Sequence, residues 1–442
     1  MNNFINKKHF LLLLALSLYF LILFNWSIDL TSSDEGKNGY VVLNMLKSKN
    51  FLVPYYNCEP RLEKPPFLYW FGVINSFIFG INEFSLRLAS GLSALGILIF
   101  LGLIVKEFFD KNMALKSMLI FLTLPHIWIE ARSFTPEMLL NFFSIGSIYF
   151  FIRKNPVLGW IFLGFAGLTK GPVGIVLPFI VVLFFKLTQR NFPLFSFLGI
   201  FLFLLVGGAW YVYMFYKFGY FYFYKFFFHE NIFRYTGKKL FHPQPFFYYF
   251  LIILITSFFY IPIYFKIFSK LKYLYTQINK NYKAPLSAPI TPFVFWFLFI
   301  LIFYSLSKNK LHHYILFSYP PLCVILANFV SEKYIRWVML FSGILLSVII
   351  IFSYTYEKNR FTFQAKNFLK NYKGEIYFYK NEITTLPFYL ERCIPKVDNL
   401  KTLNQGFVIT KKKYENLFSY CTKVIDAYEF NEPFILLECK KN

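Results

Sequence analysis

Acidic residues are scarce in this chain: 22 Asp and Glu stand against 46 Lys and Arg in 442 residues, and charged residues of both signs make up only 15%. In a soluble protein so cationic a balance would suggest nucleic acid. With 57% hydrophobic residues, however, the chain carries far more apolar surface than a soluble core of this length needs. The net charge of +24 then reports cytoplasmic loops and contact with anionic membrane lipids, and no nucleic-acid partner is expected. There is no P-loop and no GxGxxG between a strand and a helix, which argues against ATP-driven transport and against a nucleotide cofactor. Only five cysteines occur and none forms a CxxC pair, so no recognised metal framework is present. Cys58, Cys393, Cys421 and Cys439 leave disulfides open without specifying a pairing.

What is present is a series of apolar runs near the length that crosses a bilayer, with 63 Phe and 33 Tyr that an AT-rich genome would favour. The first run, 9–30, follows Lys7 and Lys8 and has no small-x-small cleavage site, so it reads as an uncleaved anchor with a cytoplasmic N-terminus. Further runs at 88–105, 114–131, 136–152, 157–169, 172–187, 193–215, 247–268, 291–306, 314–330 and 335–354 bring the expected number of crossings to about eleven. The links at 106–116, 153–154, 186–190, 266–283 and 333–336 are basic and fall on the cytoplasmic side in this register. The expected fold is therefore an all-α polytopic membrane protein of the cytoplasmic (inner) membrane, residues 1–355. A polar tail, 356–442, is expected to form a small extracytoplasmic α/β domain, with strands at 375–379, 406–410 and 434–439 and a helix at 411–418.

The stretch 34–87 organises the rest. It lies between the first two apolar runs, on the outer side, and crowds Asp34 with Glu35, Glu63 with Lys64, and Glu83 with Arg87 close to hydrocarbon, where charge is costly and usually functional. Ser32 and Glu35 also fit an S-x-x-E capping box, with Asp34 in the first turn, where the helix dipole favours its ionised form. Val41, Val42, Met45 and Leu46 share a helical face, the pattern of an amphipathic helix resting in the membrane interface. Glu63-Lys64-Pro65-Pro66 has no such local explanation; its prolines restrain the loop. Other outer links carry Arg132 and Glu137, then Lys170, then His229, Glu230 and Arg234, and finally Lys308, Lys310, His312, His313 and Tyr314. Singly, such a lysine is an interfacial anchor. Together they place several cations and carboxylates on one side of the membrane.

The ordered set Asp34-Glu35, EKPPFLYW, NEFSLRLAS, ARSFTPEMLL, GLTKGP, HENIFR and SKNKLHHYILFSYPP resembles bacterial membrane glycosyltransferases of the GT-C class. The group is the one holding lipid A aminoarabinose transferases (the ArnT type) and relatives of the protein O-mannosyltransferases, and the resemblance covers most of 30–330. One departure is Lys37, where aminoarabinose transferases usually have Arg, which keeps the charge and loses a bidentate phosphate fork. The resemblance implies inverting transfer of a sugar from a polyprenyl (undecaprenyl) phosphate carrier to an envelope acceptor on the outer, periplasmic face. A lipid A-type acceptor is favoured, with protein Ser/Thr or another envelope glycan as the alternative.

The residue types suit that chemistry, because the leaving lipid phosphate needs cations where negative charge builds up. Lys37, Lys64, Lys170, Arg234, Lys308 and Lys310 are the expected donor-phosphate ligands, Arg234 being best able to fork two oxygens. Asp34, with Glu35 beside it, is the expected catalytic carboxylate, acting as general base toward an acceptor hydroxyl. Against an acceptor phosphate, already ionised near neutrality, proton removal matters little. Arg132, His313 and Tyr314 are expected at the substrate. By similarity, Glu63 and His229 hold a divalent metal, zinc or another, that bridges the phosphate. A flippase for lipid-linked sugar would place its charges at midplane on broken helices instead.

Overall fold

The computed structural model describes residues 7–188, 191–238, 240, 242–278, 288–398 and 405–440. Helix follows helix from α1 (Lys7–Leu21) to α16 (Glu332–Glu357), and the tail adds a five-stranded sheet. Between them run α2 (Ser33–Ser48), α3 (Phe67–Phe79), α4 (Glu83–Phe108), α5 (Lys111–Leu122), α6 (Pro125–Ala131), α7 (Pro136–Ile152), α8 (Pro156–Lys170), α9 (Val173–Thr188) and α10 (Phe197–Phe223). After α10 come α11 (Phe233–Thr236), α12 (Tyr248–Thr256), α13 (Ile261–Ile278), α14 (Thr291–Leu306) and α15 (Tyr319–Ala327).

Local chemistry sets many of these boundaries. The Asn82 side chain accepts from Ser85 N while Ser85 reaches back to Asn82 N, a reciprocal cap that starts α4. Asp110 caps α5 in the same one-sided way that Ser32 caps α2. Proline occupies the first turn of α6, α7 and α8, where its missing N–H costs nothing. Among the described residues three helices, α4, α16 and the 197–236 stretch, are long and apolar enough to cross a membrane. The number is five if each of two bent pairs, α5 with α6 at 68° and the 248–256 and 258–269 pair at 82°, is one span. Shorter apolar helices of 10–17 residues include α3, α7, α8, α9 and α14.

Two differences from expectation matter. The first apolar run is not one helix: α1 ends at Leu21, and a turn with Phe24 at φ 61° leads to α2. Helix α2 is also more enclosed than expected. Tyr40, Val41, Val42, Leu43 and Met45 are buried, in part because the tail packs over the helix, while Lys47 and Ser48 near its end stay exposed. A Cβ at Gly36 would meet the Thr384 backbone at 2.6 Å, so only glycine permits that approach.

The tail contains α17 (Phe361–Leu369), α18 (Leu386–Tyr389) and strands β3 (Ile376–Tyr379), β4 (Lys396–Val397), β5 (Gly406–Lys411), β6 (Cys421–Glu429) and β7 (Glu432–Cys439), after a small hairpin β1 (Tyr55–Tyr56) and β2 (Glu59–Pro60) in the loop beyond α2. The sheet order is β4-β3-β5-β7-β6, parallel across β4-β3-β5 and antiparallel beyond. The three expected strands form; the expected helix at 411–418 is a 3-10 turn, Lys412–Phe418. Cys58 pairs with Cys393, tying the hairpin loop to the tail, and Cys421 pairs with Cys439 across β6 and β7.

Candidate active site

The first turn of α2 and the loop before α3 supply the centre. Lys64 Nζ lies 2.9 Å from Asp34 Oδ1, and Arg61 Nη2 lies 3.5 Å from the same oxygen. Arg61 is buried; its Nη1 donates to Asn38 at 2.8 Å and its Nε lies 3.5 Å from Glu63. Asn38 in turn donates to the Phe134 carbonyl at 2.7 Å, linking α2 to the turn before α7. Burial pushes the Asp34 carboxyl upward, but Lys64 and Arg61 outweigh it and hold the group far below the usual carboxylate range. Burial pushes the Lys64 ammonium below its ordinary value despite the upward pull of Asp34.

A second cluster faces the first. Lys170, at the end of α8, sits 2.7 Å from Glu137 Oε1, and His313 Nε2 lies 3.3 Å from that oxygen. Lys170 also lies over the Tyr314 ring at 4.3 Å. Gly171 follows at φ 77°, the reason the TKGP turn needs glycine. The clusters are close enough for their charges to interact, Lys64 with Glu137 and Asp34 with His313. Glu137, Lys170, His313, Tyr314, Tyr304 and Asn141 line a cavity of about 310 Å³ that includes its open mouth. Cations held beside buried carboxylates, with an open cavity, are what a phosphate ester leaving group requires.

Of the residues expected at the site, Asp34, Lys64, Lys170, His313 and Tyr314 come together, and the charge of Arg234 reaches Tyr314. Lys37 is directed at the Tyr56 ring, 5.7 Å away, and its charge acts on Glu63 together with those of Arg61 and Lys225. Lys308 packs its stem against Gly237 and holds the Tyr235 carbonyl through its backbone N–H.

Four expectations are corrected. Glu35, expected as a catalytic carboxylate, is fully buried and spent: Arg87 grips it at 2.8 and 3.0 Å, and Thr31 and Phe134 N–H groups donate to it. Its capping role is also partial, since Ser32 accepts from Glu35 N while the Glu35 side chain reaches Thr31 rather than Ser32. Glu83, expected to pair with Arg87, instead accepts from Tyr389 at 2.7 Å. Arg132, expected at the substrate, caps α1: its guanidinium donates to the Phe20, Tyr19 and Leu23 carbonyls at 2.6, 2.9 and 2.9 Å, where a helix C-terminus favours a cation. Lys310, expected at phosphate, is buried with its ammonium on the Ser307 and Gln244 carbonyls.

Each residue of the expected metal pair has a charged neighbour of its own. His229 Nδ1 lies 2.6 Å from Glu230, which also holds Arg234 at 2.9 Å, and Glu63 faces Arg61. Two carboxylate or imidazole ligands flanked by cations are too few by themselves to define a protein metal site. Sequence reasoning also missed Arg61 and Glu137 as site members. Both carried a signal, a charged residue beside a proline-bounded turn, but their partners lie on other segments.

Comparison with known proteins places this geometry in context. The model of the dolichyl-phosphate-mannose-protein mannosyltransferase family matches residues 63–213. An uncharacterized protein of Aquifex aeolicus (strain VF5) is 43% identical over 433 residues, covering 98% of this chain and 99% of its own. The undecaprenyl phosphate-alpha-4-amino-4-deoxy-L-arabinose arabinosyl transferase of Wigglesworthia glossinidia brevipalpis is 29% identical over 81% of this chain. The chain spans only 66% of that relative's length and 60% of the like-named Shewanella sediminis protein. In fold, ArnT from Cupriavidus metallidurans bound to undecaprenyl phosphate superimposes with a TM-score of 0.77 at 19% identity, covering 98% of both chains. The archaeal oligosaccharyltransferase AglB from Archaeoglobus fulgidus follows at 0.54 and 13%, covering 92% of this chain and 70% of its own. By motif order and partial family match the chain resembles the membrane glycosyltransferases of the ArnT and protein-mannosyltransferase group, and its fold is that of ArnT.

Proposed function

We propose that the protein transfers a sugar from a polyprenyl phosphate carrier to a lipid A-type acceptor on the outer face of the cytoplasmic membrane, with inversion at the anomeric carbon. The observation that carries this reading is the facing pair of clusters, Asp34 with Arg61 and Lys64, and Glu137 with Lys170 and His313, the second of which lines an open cavity. Lys64 and Lys170 stabilise the phosphate as the glycosidic bond breaks, and Arg234 adds a fork at the rim. Asp34, held ionised, orients or deprotonates the acceptor. The relatives named as undecaprenyl phosphate-aminoarabinose transferases support the carrier. Residues 1–355 form the membrane catalytic part with about eleven crossings, and 356–442 lie outside, as does the C-terminus.

A protein Ser or Thr acceptor is the second reading, favoured by the mannosyltransferase-family match over 63–213. Mass spectrometry of lipid A and of the polyprenyl phosphate pool, from cells with and without the gene, decides between them. Loss of a sugar mass from lipid A together with accumulation of glycosylated carrier is the expected result. Accumulation with lipid A unchanged moves the acceptor to protein or another glycan, and no change in either pool overturns transfer from this carrier.

A further inference from the structure

Beside the cavity lies a second group of polar side chains that the transfer chemistry leaves unused. His126 and Glu130 are neighbours on the short helix α6, one turn apart, and His312 stands opposite them in the link before α15. His126 Nε2, His312 Nδ1 and Glu130 Oε1 converge: the three separations are 3.0, 3.4 and 3.8 Å. A triangle with those sides has a centre about 2.0 Å from every corner, the length of a bond from imidazole nitrogen or carboxylate oxygen to zinc. A simple hydrogen-bonded relay accounts for the set less well. It uses the 3.0 Å contact between the two rings but leaves the carboxylate at 3.4 and 3.8 Å, beyond a good charge-assisted bond.

The surroundings are those of a ligand set rather than of loose polar residues. His126 Nδ1 is held at 2.8 Å by the Tyr319 hydroxyl, itself 2.5 Å from Thr256 Oγ1, which turns Nε2 toward the centre. Glu130 Oε2 accepts from Thr135 at 3.3 Å, leaving Oε1 to face the rings. His126 and Glu130 are buried, while the His312 side chain is 49% exposed and gives the ion a path from solvent.

We propose that His126, Glu130 and His312 bind a divalent transition-metal ion, zinc by preference, with the fourth coordination position open to water or an oxygen ligand. Two imidazoles and one carboxylate suit zinc. The site is distinct from Glu63 and His229 and stands independently of the proposed transfer reaction. Its structural consequence is a clamp: it joins α6 to the residue preceding His313, which lies 3.3 Å from Glu137 in the active-site cluster.

The test uses the full-length chain in detergent, incubated with excess Zn²⁺, desalted and assayed for metal by mass spectrometry. The expected result is one ion per chain that is lost from both His312→Gln and Glu130→Gln and retained in Glu63→Gln. Replacement by Co²⁺ should give the visible absorption of a four-coordinate site in the wild type and not in His312→Gln. His312 is half exposed, so its variant remains informative should the Glu130 variant fail to fold. Equal metal content in wild type and His312→Gln, at zero or at one ion per chain, would overturn the site.

Discussion

Asp34 and Lys64 meet at 2.9 Å although 30 positions of chain, including most of a helix and a hairpin, separate them. Neither is fully buried: the side chains are 33% and 22% exposed, and Arg61 shares the Asp34 oxygen that Lys64 holds. Removing the cation should therefore cost chemistry more than folding. Lys64→Ala is expected to lower kcat by about 100-fold or more, with the purified protein still monodisperse. Asp34→Asn separates acceptor classes. A loss as large as that of Lys64→Ala indicates a hydroxyl acceptor, and a much smaller one indicates a phosphate. Near wild-type turnover in both variants would remove this pair from the site.

Glu35 and Arg87 behave differently. Their pair is fully buried and bidentate, so truncating one partner strands the other's charge at a cost of about 3–5 kcal/mol. Glu35→Ala and Arg87→Ala should each lower the thermal midpoint of the detergent-solubilised chain sharply and reduce its yield. The double change Glu35→Leu with Arg87→Met should recover part of that loss, because it leaves no unpaired charge. Normal stability in Glu35→Ala would mean that the pair does not hold α2 to α4.

The pH dependence follows from the same cluster. Asp34 has its folded value pulled down, so its contribution is present above the unfolded carboxylate value and is lost only as pH falls through the lower folded one. No acid limb near neutrality should come from it. Lys64 is shifted below the ordinary lysine range by burial, so its charge is lost earlier as pH rises. The alkaline limb of kcat should lie below that range and move upward in Lys64→Arg, whose guanidinium stays charged. A limb that does not move assigns it to another group.

The Cys58–Cys393 bridge joins positions 335 apart. A cross-link over so long a loop restricts the unfolded chain strongly, and losing it typically costs about 2–5 kcal/mol. Cys393→Ser should lower the thermal midpoint and open the connection to proteolysis between α16 and the sheet. Cys421→Ser, acting over a separation of 18, should cost less. Equal effects would point to strain or solvation rather than loop length.

Much of the helical part was legible because hydropathy is additive along a chain. The runs that became α4, α7, α8 and α14 need no partner to be recognised as apolar, and proline or Asn at their first turns marks where they start. The ordered motifs were equally local, and they pointed to the GT-C family before any contact was known. Roles were less legible. Glu35 and Asp34 are adjacent in sequence, yet one turns inward to Arg87 and the other faces Lys64, because successive helix positions point about 100° apart.

The sequence by itself determined that this is a membrane protein of apolar helices with a charged outer loop and a polar tail, since composition and periodicity depend only on neighbours along the chain. Tertiary structure alone decided which charges serve the site. Arg132 was drawn to the carbonyls ending α1 and Lys310 to those of Ser307 and Gln244. Arg61 and Lys64 were brought together to Asp34 from the loop before α3, and Glu137 to Lys170 from a separate helix. Likewise His126 and Glu130 met His312 only across 186 positions of intervening chain. A buried charge takes whichever counter-charge or dipole the fold places nearest, and that distance is set by packing between helices, which no local pattern encodes.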